Sequence, residues 1–96
     1  MYILDELARD AHEAMPEEER TWQNACAHLH LEVSELIEAS RGKGESGEDE
    51  VDMVDEACDV LFVMLGLLHH HGVSAHQVMM QLGDLLDEGY YGNRGK

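Results

Sequence analysis

The chain is poor in basic residues. Of its 96 residues only 6 are Lys or Arg, against 21 Asp or Glu, which gives a formal net charge of −15. A surface of that sign repels the phosphate backbone of nucleic acids and the anionic face of membranes. We therefore expect no nucleic acid polymer and no membrane among its partners. Any phosphate group must be bound locally, by a bridging cation or by a few basic side chains.

Long apolar runs are also lacking. The longest, residues 60–68 with Gly66 inside it, is far shorter than the roughly 20 residues that a membrane span requires. The first residues carry neither the basic region nor the apolar core of a secretory signal. These absences predict a soluble, cytoplasmic protein.

Cysteine is scarce: Cys26 and Cys58 are the only two, without C-x-x-C spacing. Both fall in apolar helical patterns, where a free cysteine packs as a small hydrophobic residue. We expect two buried, reduced thiols; the alternative is a disulfide or a reactive thiol.

The single proline, the few β-branched runs and a 3.6-residue apolar period predict an all-α chain that forms one domain over residues 1–96. Because short connections make neighbouring helices antiparallel, we expect an antiparallel bundle of about four helices. The expected segments are helices over residues 2–14, 16–40 and 48–71, a fourth helix that begins after Ser74, a glycine-rich connector at 41–47 and a C-terminal tail at 89–96.

Several helix boundaries carry local signals. Pro16 suits the first turn of the second helix, and Ser46 can cap the third. Gly72 is the expected left-handed terminator of the third helix, and Ser74 has capping-box spacing to Gln77.

The third helix is apolar on all sides between residues 60 and 68. A helix of that kind is buried all round, and a chain this short has too little protein to cover it. We therefore expect a homodimer or a homotetramer that completes the bundle.

Two pairs of acids stand inside otherwise apolar helical segments: Glu32 with Glu35, and Glu56 with Asp59. Acids three residues apart project from one helix face about 5 Å from each other. If the two helices pack antiparallel, the four carboxylates converge. Like charges about 4 Å apart repel by roughly 4 kcal/mol at an effective dielectric near 20, and a divalent cation removes that cost. The alternative for the first pair alone is a solvated acidic face.

A site made of carboxylate oxygens, without His or Cys in register, suits Mg²⁺ better than Zn²⁺, with Mn²⁺ as a substitute. The predicted ligands are Glu32, Glu35, Glu56 and Asp59. Asp52 continues the same face one turn earlier and can assist.

The sequence segments around these acids, residues 31–39 and 54–61, resemble the motifs of MazG-like all-α nucleoside triphosphate pyrophosphohydrolases and their dimeric dUTPase and dCTPase relatives. The resemblance covers residues 29–88. It implies hydrolysis of a nucleoside triphosphate, often a deoxynucleotide, to the monophosphate and pyrophosphate. Two positions depart from the family pattern. Leu31 stands where many members have a further Glu, and the fourth helix is sparsely basic where relatives often place a phosphate-contacting Lys.

In that chemistry one carboxylate acts as the base toward a water molecule. Glu35 is the expected base because it lies between Glu32 and Glu38 and faces most of the cluster. Glu38 is the alternative base or an outer ligand. The expected substrate contacts are Arg41 and Lys43 past the acidic helix, Trp22 as a stacking group, and Asn93, Arg94 and Lys96 on the tail.

Three other functions compete with this one. A phosphoribosyl-ATP pyrophosphohydrolase shares the architecture and the acids, and a non-catalytic acidic interaction protein predicts no effect of Mg²⁺ on stability. A di-iron bundle needs Glu-x-x-His pairs, which the chain lacks. His28, His30 and the run at residues 69–71 are given no ligand role.

Overall fold

The fold is built from helices alone over the part of the chain that the computed structural model describes, residues 3–94 apart from the side chains at 22, 93 and 94. The structure is 80% helical and has four helices of seven residues or more in that part, which confirms the predicted all-α bundle. The elements are α1 (Ile3–Ala14), a 3₁₀ turn (Glu17–Glu19), α2 (Trp22–Ser40), α3 (Asp49–His70), α4 (Ala75–Asp87) and α5 (Tyr90–Arg94).

Helix α3 lies between α1 and α2 and packs against both. Its Val63 is fully buried, and Met15 at the end of α1 is only 2% exposed. Gly66 allows this approach, because a Cβ at that position would overlap the Met15 side chain. The small residues Ala8 and Ala11 line the same contact. Close packing of small and flexible groups therefore joins α1 to α3.

The second helix begins later than predicted. Pro16 precedes a 3₁₀ turn, in which Glu19 N–H donates to the Pro16 carbonyl at 2.9 Å. Helix α2 starts only after Thr21, whose hydroxyl accepts the Asn24 N–H at 3.3 Å. The expectation that Pro16 opens α2 was wrong, because Thr21 supplies the side-chain cap that proline cannot.

The loop between α2 and α3 is fastened to Asp52, a residue only 6% exposed. Ser46 donates to Asp52 Oδ1 from its backbone N–H at 3.1 Å and from its hydroxyl at 2.7 Å. The N-cap of α3 is Glu48 rather than Ser46, although the Ser46 hydroxyl accepts the Glu48 N–H. A Cβ at Gly44 would overlap Asp52, which explains a glycine at that position.

The predicted boundary between α3 and α4 is confirmed. Gly72 has φ +70°, the left-handed conformation that glycine adopts without strain. Ser74 caps α4 by accepting the Gln77 N–H at 3.1 Å. Its hydroxyl also donates to Asp5 at 2.9 Å, which ties α4 to α1.

The segment expected to be a tail contains a further short helix, α5, after a left-handed Gly89. Tyr90 and Tyr91 begin α5, and their rings meet edge to face at 5.1 Å. Leu82 and Leu85 of α4 line a shallow groove with Tyr91, and this apolar contact favours helix over tail.

Much apolar surface stays exposed on the single chain, including Val54 and Leu61 of α3 at 57% and 49%. Cys58 is exposed and Cys26 is half-buried, so the expectation of two buried thiols was wrong, although both are free. None of the helices in the described residues is long and apolar enough to cross a membrane.

Candidate metal centre

Four carboxylates from α2 and α3 meet in the middle of the helix pair. One oxygen each from Glu32, Glu35, Glu56 and Asp59 lies within 4.8 Å of all the others. The three-residue spacing on each helix and the packing of α2 on α3 produce this arrangement, as the sequence predicted. Their role as metal ligands stays a prediction.

The cluster has a buried and an open side. Glu32 is 8% exposed and Glu56 is half-buried, whereas Glu35 and Asp59 are exposed. One oxygen of each deeper acid, Oε2 of Glu32 and Oε2 of Glu56, is buried without a hydrogen-bond partner. A buried carboxylate oxygen without a donor is costly, so the arrangement is incomplete as a purely structural one.

The electrostatics of the cluster favour neutral acids in the absence of a cation. Burial, a hydrogen bond with Glu35 and the nearby charges of Glu35 and Asp59 raise the pKa of Glu56 to about 7. Burial first, and then the charges of Glu35 and Asp59, also raise the pKa of Glu32, against an opposing effect of His28. Four ionised carboxylates at these distances would repel one another, so the cluster disfavours having all four ionised at once.

These residues fit a hard divalent cation. All four donors are oxygens, two of them are buried and unpartnered, and the open side leaves room for a ligand. Oxygen donors are those that Mg²⁺ and Mn²⁺ prefer. No second group of three or more metal-binding side chains is found among the described residues.

A histidine that the sequence analysis set aside contacts the cluster. His28 Nε2 lies 3.1 Å from Glu32 Oε1, and its Nδ1 lies 3.5 Å from Glu19 Oε2 on the 3₁₀ turn. The signal was present in the sequence, because His28 and Glu32 are four residues apart on one helix face. The spacing between His28 and His30 does not reveal this contact, because the partner of His28 is an acid.

Glu38 lies outside the cluster. Its side chain is exposed and lies 4.0 Å from Arg41 Nη1, in a surface ion pair one turn further along α2. Lys43 is exposed in the following loop, where its N–H donates to the Glu38 carbonyl at 3.0 Å. Asp52 is likewise not a member of the cluster; it holds the loop through Ser46.

The remaining predicted substrate contacts fall outside what the structure describes. These are the side chains of Trp22, Asn93 and Arg94, and the whole of Lys96.

Comparison with known families gives a match over most of the chain. Residues 1–84 match the family model described as phosphoribosyl-ATP pyrophosphohydrolase. The chain belongs to this family. The family is part of the MazG-like all-α nucleoside triphosphate pyrophosphohydrolase superfamily, and membership supports a pyrophosphohydrolase activity. No curated protein and no solved structure matches the chain.

Proposed function

We propose that the protein is a Mg²⁺-dependent pyrophosphohydrolase that converts a nucleoside triphosphate to the monophosphate and pyrophosphate. The observation that carries the proposal is the convergence of four carboxylates around unpartnered buried oxygens, in a chain of the phosphoribosyl-ATP pyrophosphohydrolase family. Mn²⁺ is expected to substitute for Mg²⁺, since both take oxygen ligands.

The four acids are proposed to form the cation site, and one of them also acts as the base. Glu32, Glu35, Glu56 and Asp59 would hold the cation, which would neutralise phosphate charge and lower the pKa of a water molecule. Glu35 is exposed at the rim beside Glu56, so its carboxylate can accept a proton from the attacking water. Glu38 is the alternative base, and its distance from the cluster makes it the weaker candidate.

The substrate class is a nucleotide with a triphosphate group, and hydrolysis breaks the bridge between its α and β phosphates. Deoxynucleoside and ribonucleoside triphosphates are the first candidates. Phosphoribosyl-ATP is the second, and the description of the matching family favours it. Phosphoribosyl-ATP carries the same triphosphate, so the metal centre can serve either substrate. The residues that contact the nucleobase must then distinguish the two substrates.

Basic side chains are few, and their placement limits how the phosphates are held. Arg41 and Lys43, exposed just beyond the acidic segment of α2, are the proposed phosphate contacts. Trp22 is proposed to stack on the base, with Asn93, Arg94 and Lys96 near the C-terminus as further contacts.

The direct test is pyrophosphate release from a panel of ribonucleoside and deoxynucleoside triphosphates and phosphoribosyl-ATP, with and without Mg²⁺. Glu35→Gln and Asp59→Asn should each abolish turnover and leave the helical circular dichroism unchanged. Glu50→Gln is the matched control, because it makes the same change on the exposed first turn of α3, outside the cluster. Turnover that survives chelation of divalent ions, or no release from any of these substrates, contradicts the proposal.

We also propose that the chain works as a homodimer or a homotetramer. Val54 and Leu61 leave an exposed apolar strip on α3, and Met64 at 39% exposure continues it. Exposed apolar side chains that share one helix face support an interface at this position. Light scattering coupled to size-exclusion chromatography should give a mass of two or four chains, and Leu61→Glu should reduce it. A monomer for the unmodified chain contradicts this part of the proposal.

A further inference from the structure

The two oxygens of Glu32 have different surroundings. Oε1 lies 3.1 Å from His28 Nε2, within hydrogen-bond distance, whereas Oε2 is buried and has no hydrogen-bond partner. Oε2 is therefore the oxygen that gains most from a cation. The contact at Oε1 limits how the carboxylate can turn, and so sets the direction in which Oε2 points.

The direction of this contact follows when Glu32 ligates a cation, because a ligating carboxylate is ionised. An ionised carboxylate only accepts hydrogen bonds, so the hydrogen must lie on Nε2. Both the neutral Nε2–H tautomer and the imidazolium carry that hydrogen. The contact therefore does not depend on which of the two forms is present.

The surroundings of His28 restrain the ring. Its Nδ1 lies 3.5 Å from Glu19 Oε2 on the 3₁₀ turn before α2, and it is buried without a hydrogen bond. Arg20 fixes that turn to the end of α1 by donating to the carbonyls of Met15 at 3.0 Å and Glu13 at 2.8 Å. The Asn24 side-chain amide also donates to the Glu18 carbonyl. Contacts from α1, the turn and α2 thus hold the residues around the ring.

This pair differs from the surface ion pairs of the molecule. The side chains of His28 and Glu32 are 26% and 10% exposed, whereas those of Arg41 and Glu38 are 64% and 49% exposed. Exposed pairs contribute little because solvent competes for both partners. Glu32 is shielded from solvent by comparison, and its Oε2 has no hydrogen-bond partner.

We propose that His28 is a positioning residue, which orients Glu32 so that its Oε2 points toward the cation in the metal centre. This inference rests on the proposed function, because it requires a cation at the four acids. Hydrogen bonds to ligating carboxylates from surrounding residues commonly set metal affinity, and their loss costs about 10- to 100-fold in affinity or activity.

The test is the dissociation constant for Mn²⁺ and Mg²⁺, measured by calorimetry on the purified protein without nucleotide. His28→Leu should weaken binding by about 10-fold or more. His28→Gln, whose amide can donate from nearly the same place as Nε2, should restore affinity to within about threefold of the unmodified chain. His28→Asn carries the same amide on a shorter side chain and should behave like His28→Leu.

His30→Leu is the matched control, because it replaces an exposed histidine two residues later on α2. It should leave the dissociation constant unchanged. In turnover assays at saturating Mg²⁺, His28→Asn should recover most of its kcat, since excess cation compensates for a misplaced ligand.

Equal affinities for all His28 variants would overturn the inference and leave the metal centre intact. Tighter binding by His28→Leu would also overturn it, because that result means that His28 acts only through its charge. No Mn²⁺ or Mg²⁺ binding by the unmodified chain would instead overturn the proposed function, and this inference with it. If His28→Leu does not fold, the pair His28→Gln and His28→Asn decides the question alone.

Discussion

The face of α3 that packs on α1 differs from the face that packs on α2. On the face toward α1, Gly66 lies against Met15, and small apolar residues pack around this contact. Toward α2, the helix offers Glu56 and Asp59 to two further acids. The first contact is closed by packing alone, whereas the second leaves two buried carboxylate oxygens without a hydrogen-bond partner.

Titratable groups at both contacts are displaced toward their neutral forms. Burial lowers the pKa of His12 on α1, and the nearby positive charges of His69, Arg20 and His70 add to the effect. Burial raises the pKa of Glu56, and the neighbouring acids add to it. The two contacts therefore respond to pH in opposite directions, although desolvation is the main cause in each.

The largest expected effect is on catalysis. Glu56→Gln should reduce pyrophosphate release by at least about a hundredfold, comparable with the loss of one charge-stabilising group at an active site. The same change removes a like charge from the cluster, so the melting temperature without metal should rise. Glu50→Gln on the exposed first turn of α3 is the control for net charge. A fall in both activity and metal-free stability would show that the two contacts of α3 are alike.

The next largest effect is on stability alone. Met15→Ala empties the contact between α1 and α3 and should lower the free energy of unfolding by about 3 kcal/mol. Ile3→Ala at the start of α1, at 73% exposure, should change it by less than about 0.5 kcal/mol. Urea denaturation measures both. A Mg²⁺-induced rise in melting temperature should persist in Met15→Ala, since the acids lie on the other face.

A smaller effect is expected at Asp52, a buried acid whose Oδ1 accepts two hydrogen bonds from Ser46. Ser46→Ala removes its hydroxyl donor and should cost about 1–2 kcal/mol in unfolding free energy. Ser40→Ala, at an exposed position on α2, should cost less. Equal effects would mean that the loop is not fastened through Asp52.

The smallest effect is a change in the pH dependence of metal-free stability. The folded pKa of Glu56, about 7, exceeds its ordinary value of 4.5, so its contribution is complete below pH 4.5 and is lost as pH rises through 7. The folded pKa of His12 lies below 6.5, so its contribution is complete above pH 6.5 and is lost as pH falls through the folded value.

Thermal melts across this range should separate the two groups. Glu56→Gln should flatten the loss of stability toward neutral pH, and His12→Gln should flatten the loss toward acid pH. Solvent screening at the half-buried Glu56 should keep the change to a few degrees in melting temperature. Identical pH profiles for the two variants would contradict the assignment.

Local rules predicted much of this molecule. Helix geometry over three residues sets the spacing of each acid pair. Gly72 ends α3, and Ser74 caps the start of α4. Each of these features depends on neighbours within one turn of helix. A pattern in the sequence therefore determines them almost completely.

Features that depend on distant contacts escaped prediction. Arg20 bonds back to the end of α1, and this helps to keep residues 17–19 as a separate turn instead of a first turn of α2. The contact of His28 with Glu19 requires that turn, because Glu19 is its last residue. The short helix α5 likewise depends on packing beside α4. Hydrophobic patterns do not encode such contacts, because they specify which face is apolar and not what lies opposite it.

The order of the acids along the chain has a kinetic consequence. All four lie between residues 32 and 59, on two consecutive helices joined by one loop. Chain segments that are close in sequence meet quickly, since little loop entropy is lost on closure. The hairpin of α2 and α3 can thus form before α4 arrives, and the repulsion among its acids would then slow an early step of folding unless divalent ions are present.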